Sequence, residues 1–189
     1  MGISVEKFIT IADYLEMEAF SDIKHEYYQG EIFAMASASI EHNRVIVNTL
    51  VGLGGQLKGK ACRPYVTDLR VSVQANTLYT YPDITVICGE IEKTADTFDT
   101  VTNPTVIIEV LSESTKDYDR GSKFTLYREI PQLKEYLLID ATGKVSVEHF
   151  SKNLDGLWVL KEYKDMDSAV FIPSIDVTLL MADIYSGVY

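Results

Sequence analysis

Glu109 has the setting that most invites chemistry in this 189-residue chain. It lies inside Thr105-Val106-Ile107-Ile108-Glu109-Val110-Leu111, a run apolar at odd and even positions alike, as in an interior strand covered on both faces. Carboxylates are rare in such places unless partnered, because an unpaired buried charge is strongly unfavourable. The partner is a neighbouring Lys or Arg, water at an edge position, or a ligand. Pro82-Asp83 opens the preceding apolar run, Asp83 to Cys88, and so sets a second carboxylate at a strand mouth. A Pro-Asp step is equally good turn chemistry. Its interest comes from pairing: adjacent strands lie about 5 Å apart, and two acids on one face could share a hard cation. Two carboxylates and water make a magnesium-type site, not a zinc one.

Weaker candidates surround this pair. Glu26 sits in Lys24-His25-Glu26-Tyr27-Tyr28-Gln29-Gly30, where it is either a third acid of the site or a surface charge on a hairpin. The stretch His25-Glu26-Tyr27-Tyr28-Gln29 begins like a zinc-protease helix but has Gln29 where the second histidine must stand, so it supplies no zinc pair. Asp119 and Lys123 are four residues apart in a helical segment, and their default reading is an exposed pair worth ~0.3–0.5 kcal/mol. His42 falls on a long helix, where a satisfied, partly buried histidine is the ordinary case, and Asp68 reads as a turn residue. No phosphate-binding Gly-x-x-x-x-Gly-Lys-[Ser/Thr], no Gly-x-Gly-x-x-Gly and no Gly-x-Ser-x-Gly occurs, which removes P-loop, dinucleotide and serine-hydrolase chemistry.

The elements that must position these residues follow from periodicity and punctuation. Thr10 to Ala19 suits a short amphipathic helix, and His25 to Ala36 a hairpin turning at Gln29-Gly30. Ser39 to Leu57 places Val45, Ile46, Thr49, Leu50 and Leu53 on one helical side, with Gly52, Gly54 and Gly55 expected to fray its end. Segments 64–66, 69–74, 83–88 and 105–111 read as strands of one central sheet. Ser114 to Asp117 has capping-box spacing, opening a helix over 117–129 that Pro131 stops, to make a strand–helix–strand unit. Strands at 134–140, 144–151 and 157–163 and a short helix at 179–185 complete a mixed α/β domain, one domain over residues 1–189.

Composition limits the function classes. Hydrophobic residues make up 47% of the chain and charged residues 24%, which excludes a wholly unstructured protein. Apolar runs are a handful of residues long, far short of the roughly 20 that cross a bilayer, so no membrane partner is expected. The first ten residues lack a basic start and an apolar block, which points to the cytoplasm. Cys62 and Cys88 stand apart without metal or redox spacing and read as buried reduced thiols. A formal net charge of −11 argues against a broad basic nucleic-acid surface, though a local cluster or a bound metal can offset it.

Taken in order, Tyr81-Pro82-Asp83, Asn103-Pro104, Ile108-Glu109-Val110-Leu111-Ser112, Ser114-Thr115, Asp119-Arg120-Gly121-Ser122-Lys123-Phe124, Tyr127 and Lys134-Glu135-Tyr136 resemble the Uma-two family. This is a group of restriction-type endonucleases in the PD-(D/E)XK nuclease superfamily. The opening block His25-Glu26-Tyr27 to Met35-Ala36, followed by His42-Asn43, extends the resemblance over nearly the whole chain. It implies a restriction-endonuclease-like core, a central mixed β-sheet flanked by helices, and divalent-metal-dependent hydrolysis of phosphodiester bonds with Asp83 and Glu109 as metal ligands. The superfamily pattern wants a lysine two residues beyond the second acid, where this chain has Leu111. By resemblance that lysine has moved to the following helix as Lys123, and Glu26 becomes an accessory acid.

Two main hypotheses result. The first is a DNA endonuclease in which Asp83, Glu109 and the Val110 carbonyl hold Mg²⁺ or Mn²⁺, with Lys123 and Glu26 completing the catalytic set and a homodimer cutting both strands of a duplex. The second keeps the fold as a binding or assembly module with little hydrolysis, motivated by Leu111 and the acidic charge. A poorer third is a glycosidase using Glu109 and Asp83 as paired acids, which requires about 5–9 Å between the carboxyls.

Overall fold

A computed structural model describes residues 8–35, 37–95 and 99–189. Helix α1 (Ile11–Ala19) begins at Thr10, whose hydroxyl accepts from the Asp13 N–H while the Asp13 carboxylate accepts from the Thr10 N–H, a reciprocal cap. Strands β1 (His25–Tyr28) and β2 (Glu31–Ala34) form the expected hairpin. Gln29 and Gly30 both take positive φ, 47° and 95°, as the tight turn between twisted strands requires. Helix α2 (Ile40–Leu57) is capped by Ser39 and buries His42, Val45, Ile46, Thr49, Leu53 and Leu57. Its glycines do not fray it. The helix runs through all three, and at Gly52 a Cβ would lie 2.7 Å from Leu179, so glycine there permits close packing.

Strands β3 (Cys62–Val66), β4 (Arg70–Val73), β5 (Leu78–Thr80), β6 (Ile84–Cys88), β7 (Thr100–Val101) and β8 (Val106–Leu111) follow. The single central sheet expected from the sequence is two. One has the order β2-β1-β5-β4-β7. The other contains β3, β6 and β8 and continues through β9 (Glu135–Asp140), β10 (Val147–Lys152) and β11 (Trp158–Tyr163) in the order β11-β10-β9-β8-β6-β3. The clean alternation of 69–74 defines a strand without telling which sheet it joins. Pro64 lies inside β3, on an edge strand whose missing N–H costs no interior ladder bond. Cys62 and Cys88 face each other across the β3–β6 register, Cα atoms 3.9 Å apart, and are disulfide-bonded rather than reduced. Sequence spacing carries no trace of that register.

Between β8 and its parallel partner β9 the chain runs through α3 (Lys116–Tyr118), a π-helical turn at Asp119–Lys123 and α4 (Phe124–Tyr127). The strand–helix–strand unit is present and its helical segment runs unbroken from Lys116 to Tyr127, but the middle is π-helical and Ser114 does not cap it: the N-cap position is Thr115, without a side-chain bond. At the C-terminal end β12 (Ala169–Ile172) pairs with β13 (Val177–Leu180), and only then does α5 (Met181–Ile184) begin, so the helix expected over 179–185 is shorter.

β8 is buried at all six positions. Val106, Ile108 and Val110 face a core shared with α2 and β13, while Ile107 and Leu111 face another built around Phe124, Tyr127 and Tyr136. Glu109 shares the second face, a charge set between two apolar layers. No helix among the described residues is long and apolar enough to cross a membrane.

Candidate active site

The antiparallel register pairs Ile84 with Ile108, so one step further Asp83 stands opposite Glu109. Directly opposed residues have Cβ atoms about 5 Å apart, which is what brings the two acids together. Glu109 Oε2 accepts from the Asp83 N–H at 3.2 Å, and Asp83 Oδ2 accepts from the Val110 N–H at 2.7 Å. Each strand end thus holds the other's carboxylate in place. His42, on the first turn of α2, brings Nε2 to 3.3 Å from Asp83 Oδ2.

Lys123 enters from the helical side. Its Nζ lies 3.0 Å from Glu26 Oε1, 3.0 Å from Glu109 Oε1 and 3.6 Å from Asp119 Oδ1. Lys123 is 5% exposed and Asp119 3%, so the i,i+4 pair that reads as a surface feature is a buried one. The π-helical turn spanning these residues is the local device that sets Asp119 and Lys123 inward; such turns recur at functional sites. Tyr127, one turn on, donates to Glu109 Oε1 at 2.8 Å, and the Thr80 hydroxyl donates to Glu26 Oε1. The structure therefore gathers Glu26, Asp83, Glu109, Lys123 and the Val110 backbone around one cleft, and adds His42, Asp119, Thr80 and Tyr127. Spacing alone holds a signal for two of these, since Asp119, Lys123 and Tyr127 recur at four-residue intervals. Thr80 has none. Asp68 is elsewhere, exposed and paired with Lys24.

Four carboxylates share this space with one ammonium, and the electrostatics reflect it. Burial pushes Glu109 up to about 8 against the pull of Lys123, with Asp83 and Asp119 adding to the rise. Burial also raises Asp119, again opposed by Lys123. Lys123 is pushed down by burial, but Glu109, Tyr127, Glu26 and Asp119 outweigh that and hold it well above the usual lysine value. For His42 burial lowers and the bond and charge of Asp83 raise, and the raising effects win.

The donors that face the cleft from Asp83 and Glu109 are hard oxygens, the chemistry that suits Mg²⁺ or Mn²⁺. Among the described residues no three His, Cys, Asp or Glu side chains are gathered into a ready metal cage. A cation that keeps several waters and takes one or two carboxylates needs no such cage, so the residues present fit this group. Leu111, at the position where the superfamily pattern wants lysine, is fully buried among apolar side chains, and the ammonium beside Glu109 belongs to Lys123.

A protein of Synechocystis sp., "Uncharacterized protein sll1609", is 40% identical over 162 residues, spanning 86% of this chain and 91% of the relative. A second from the same organism, "Uncharacterized protein slr1290", is 35% identical over 175 residues, 93% of this chain and 90% of its own. A crystal structure from Anabaena variabilis, titled as a "putative nuclease belonging to DUF820", superposes with a TM-score of 0.79 at 18% identity, covering 96% of this chain and 99% of that one, which bears on the fold alone. The model of the Uma2 family, described as "Putative restriction endonuclease", matches residues 11–179, and the chain belongs to that family.

Proposed function

We propose that the protein is a metal-dependent endonuclease that hydrolyses phosphodiester bonds of DNA. The observation that carries this reading is the convergence of Asp83 and Glu109 from neighbouring strands with the Lys123 ammonium at 3.0 Å from Glu109, in one solvent-reached cleft. Asp83, Glu109 and the Val110 carbonyl would hold Mg²⁺ or Mn²⁺. When bound, the cation polarises a phosphate oxygen and makes a water more acidic.

The chain's own groups supply the rest. The Val110 N–H and His42 orient the Asp83 carboxylate before substrate arrives, so little reorganisation is needed during reaction. Lys123, held protonated by its acidic neighbours, offers a fixed positive charge to the phosphoryl group as negative charge develops there. Glu26 and Asp119 pin that ammonium, and Tyr127 fixes the rotamer of Glu109. The excess of carboxylates also means that the empty cleft repels a phosphate backbone, which makes DNA binding depend on the cation and weaken with salt.

Plasmid incubated with Mg²⁺ or Mn²⁺ tests this, with EDTA and Asp83→Asn as controls. Nicking or linearisation that both controls abolish is the expected result. Cleavage that survives either control overturns the assignment.

A further inference from the structure

The cleft that holds the carboxylates measures about 1490 Å³, and much of its wall plays no part in the hydrolysis proposed above. One wall is the β1–β2 hairpin. Phe33 is the cross-strand partner of Glu26, so its ring stands on the same hairpin face as the carboxylate that binds Lys123. Phe33 is 48% exposed on a sheet-edge strand, where it adds little to the core. From the helical wall Tyr118 stands beside the same pair, its ring centroid 5.8 Å from the Lys123 ammonium, and is 37% exposed. Two aromatic side chains therefore flank the Glu26–Lys123 pair, and Ile23, 57% exposed, continues the apolar lining.

Basic groups are sparse by comparison. Besides Lys123, three basic side chains among the described residues reach the cleft: Lys24 pairs with Asp68, Arg120 with Glu148 and Asp140, and Arg128 lies over the Phe124 ring, 5.2 Å from its centroid. A net charge of −11 weakens the general attraction that draws a duplex in through its phosphates. Affinity must come instead from the bases. In a duplex the base faces are stacked away and a protein meets only their edges, whereas an unpaired base offers its whole π-face to an aromatic side chain.

We propose that the substrate of this site is unpaired DNA, a single strand or a displaced or looped segment, with its bases stacked on Phe33 and Tyr118 while the phosphate between them faces Asp83 and Glu109. This rests on the nuclease reading and adds the substrate class to it.

Fluorescence anisotropy tests it with a labelled single strand of about 15 nucleotides, near the upper site size of known single-strand binders, and the same sequence as a duplex. Each is titrated with the full chain in Ca²⁺ and in EDTA, beside calorimetric titration with Mn²⁺. The expected results are tighter binding of the single strand than of the duplex, a loss of roughly 5- to 150-fold with Phe33→Ala, the range of one base–aromatic stack, and retained binding with Phe33→Trp. Phe33→Ala should leave Mn²⁺ affinity and the thermal unfolding midpoint unchanged. Equal affinity for duplex and single strand, or a Phe33→Ala protein that binds as wild type does, overturns the proposal. Absence of Mn²⁺ binding by the wild type would instead sink the metal-dependent hydrolysis, while the comparison of single strand with duplex and of Phe33→Ala with wild type still judges the stacking.

Discussion

Replacing Lys123 by Met should unmask the repulsion that the ammonium now balances. The substitution keeps most of the aliphatic volume and deletes the charge that meets Glu26 and Glu109 at 3.0 Å and Asp119 at 3.6 Å. The lysine side chain is 7% exposed and its three partners are 10%, 4% and 5% exposed, so water cannot take over its role. Breaking a buried pair by removing one partner costs about 3–5 kcal/mol, against roughly 0–1 kcal/mol for a surface pair. The abandoned carboxylates respond by holding protons. Glu109 and Asp119, already raised by burial, then rise further above their unfolded values, the folded state binds more protons over that window, and stability falls as pH rises through it. Urea unfolding in EDTA at about pH 5.5 and pH 8, within the window set by Glu109, should show the larger deficit at the higher pH. A loss of under about 1 kcal/mol at both pH values would refute the reasoning, because it would mean the cluster is screened as a surface pair is.

Other outcomes follow from the same contacts. Tyr127→Phe removes a fully buried donor to Glu109 and should cost about 1.5–3 kcal/mol in denaturant unfolding while reducing cleavage, since the carboxylate loses its anchor. In the metal-free wild type, burial pushes Glu109 up to about 8, so the folded state gains protons relative to the unfolded one; the thermal midpoint should decline from about pH 5 to pH 8, and Mg²⁺ should offset that decline at the alkaline end. Cys62→Ser with Cys88→Ser opens a covalent loop spanning 26 residues and should lower unfolding free energy by about 2–4 kcal/mol without changing metal affinity.

Much of this site is legible in the sequence because local signals and burial coincide there. A charge inside a run apolar on both faces marks Glu109, and β8 is indeed covered on both sides. Gln29-Gly30 fixes the hairpin that carries Glu26, and Ser39 fixes the start of the helix that carries His42. What sequence hides is set by long-range register and by irregular backbone. Asp119 reads as exposed because an i,i+4 charge pair usually lies on a helix's solvent face, whereas here that face turns toward Glu26 and Glu109 and Asp119 is a buried member of the cluster. The pairing of Cys62 with Cys88 and the assignment of β4 to a second sheet depend on which strands meet, which alternation does not encode.

The central claim is that Asp83 and Glu109 together hold a divalent cation. Isothermal titration of the wild type with Mg²⁺ and Mn²⁺, beside Asp83→Asn of the same folded stability, tests it most directly. The account predicts saturable binding of one or two ions by the wild type, lost or greatly weakened in Asp83→Asn. Wild-type titrations without heat of binding, or an Asp83→Asn protein that binds as tightly, would contradict it.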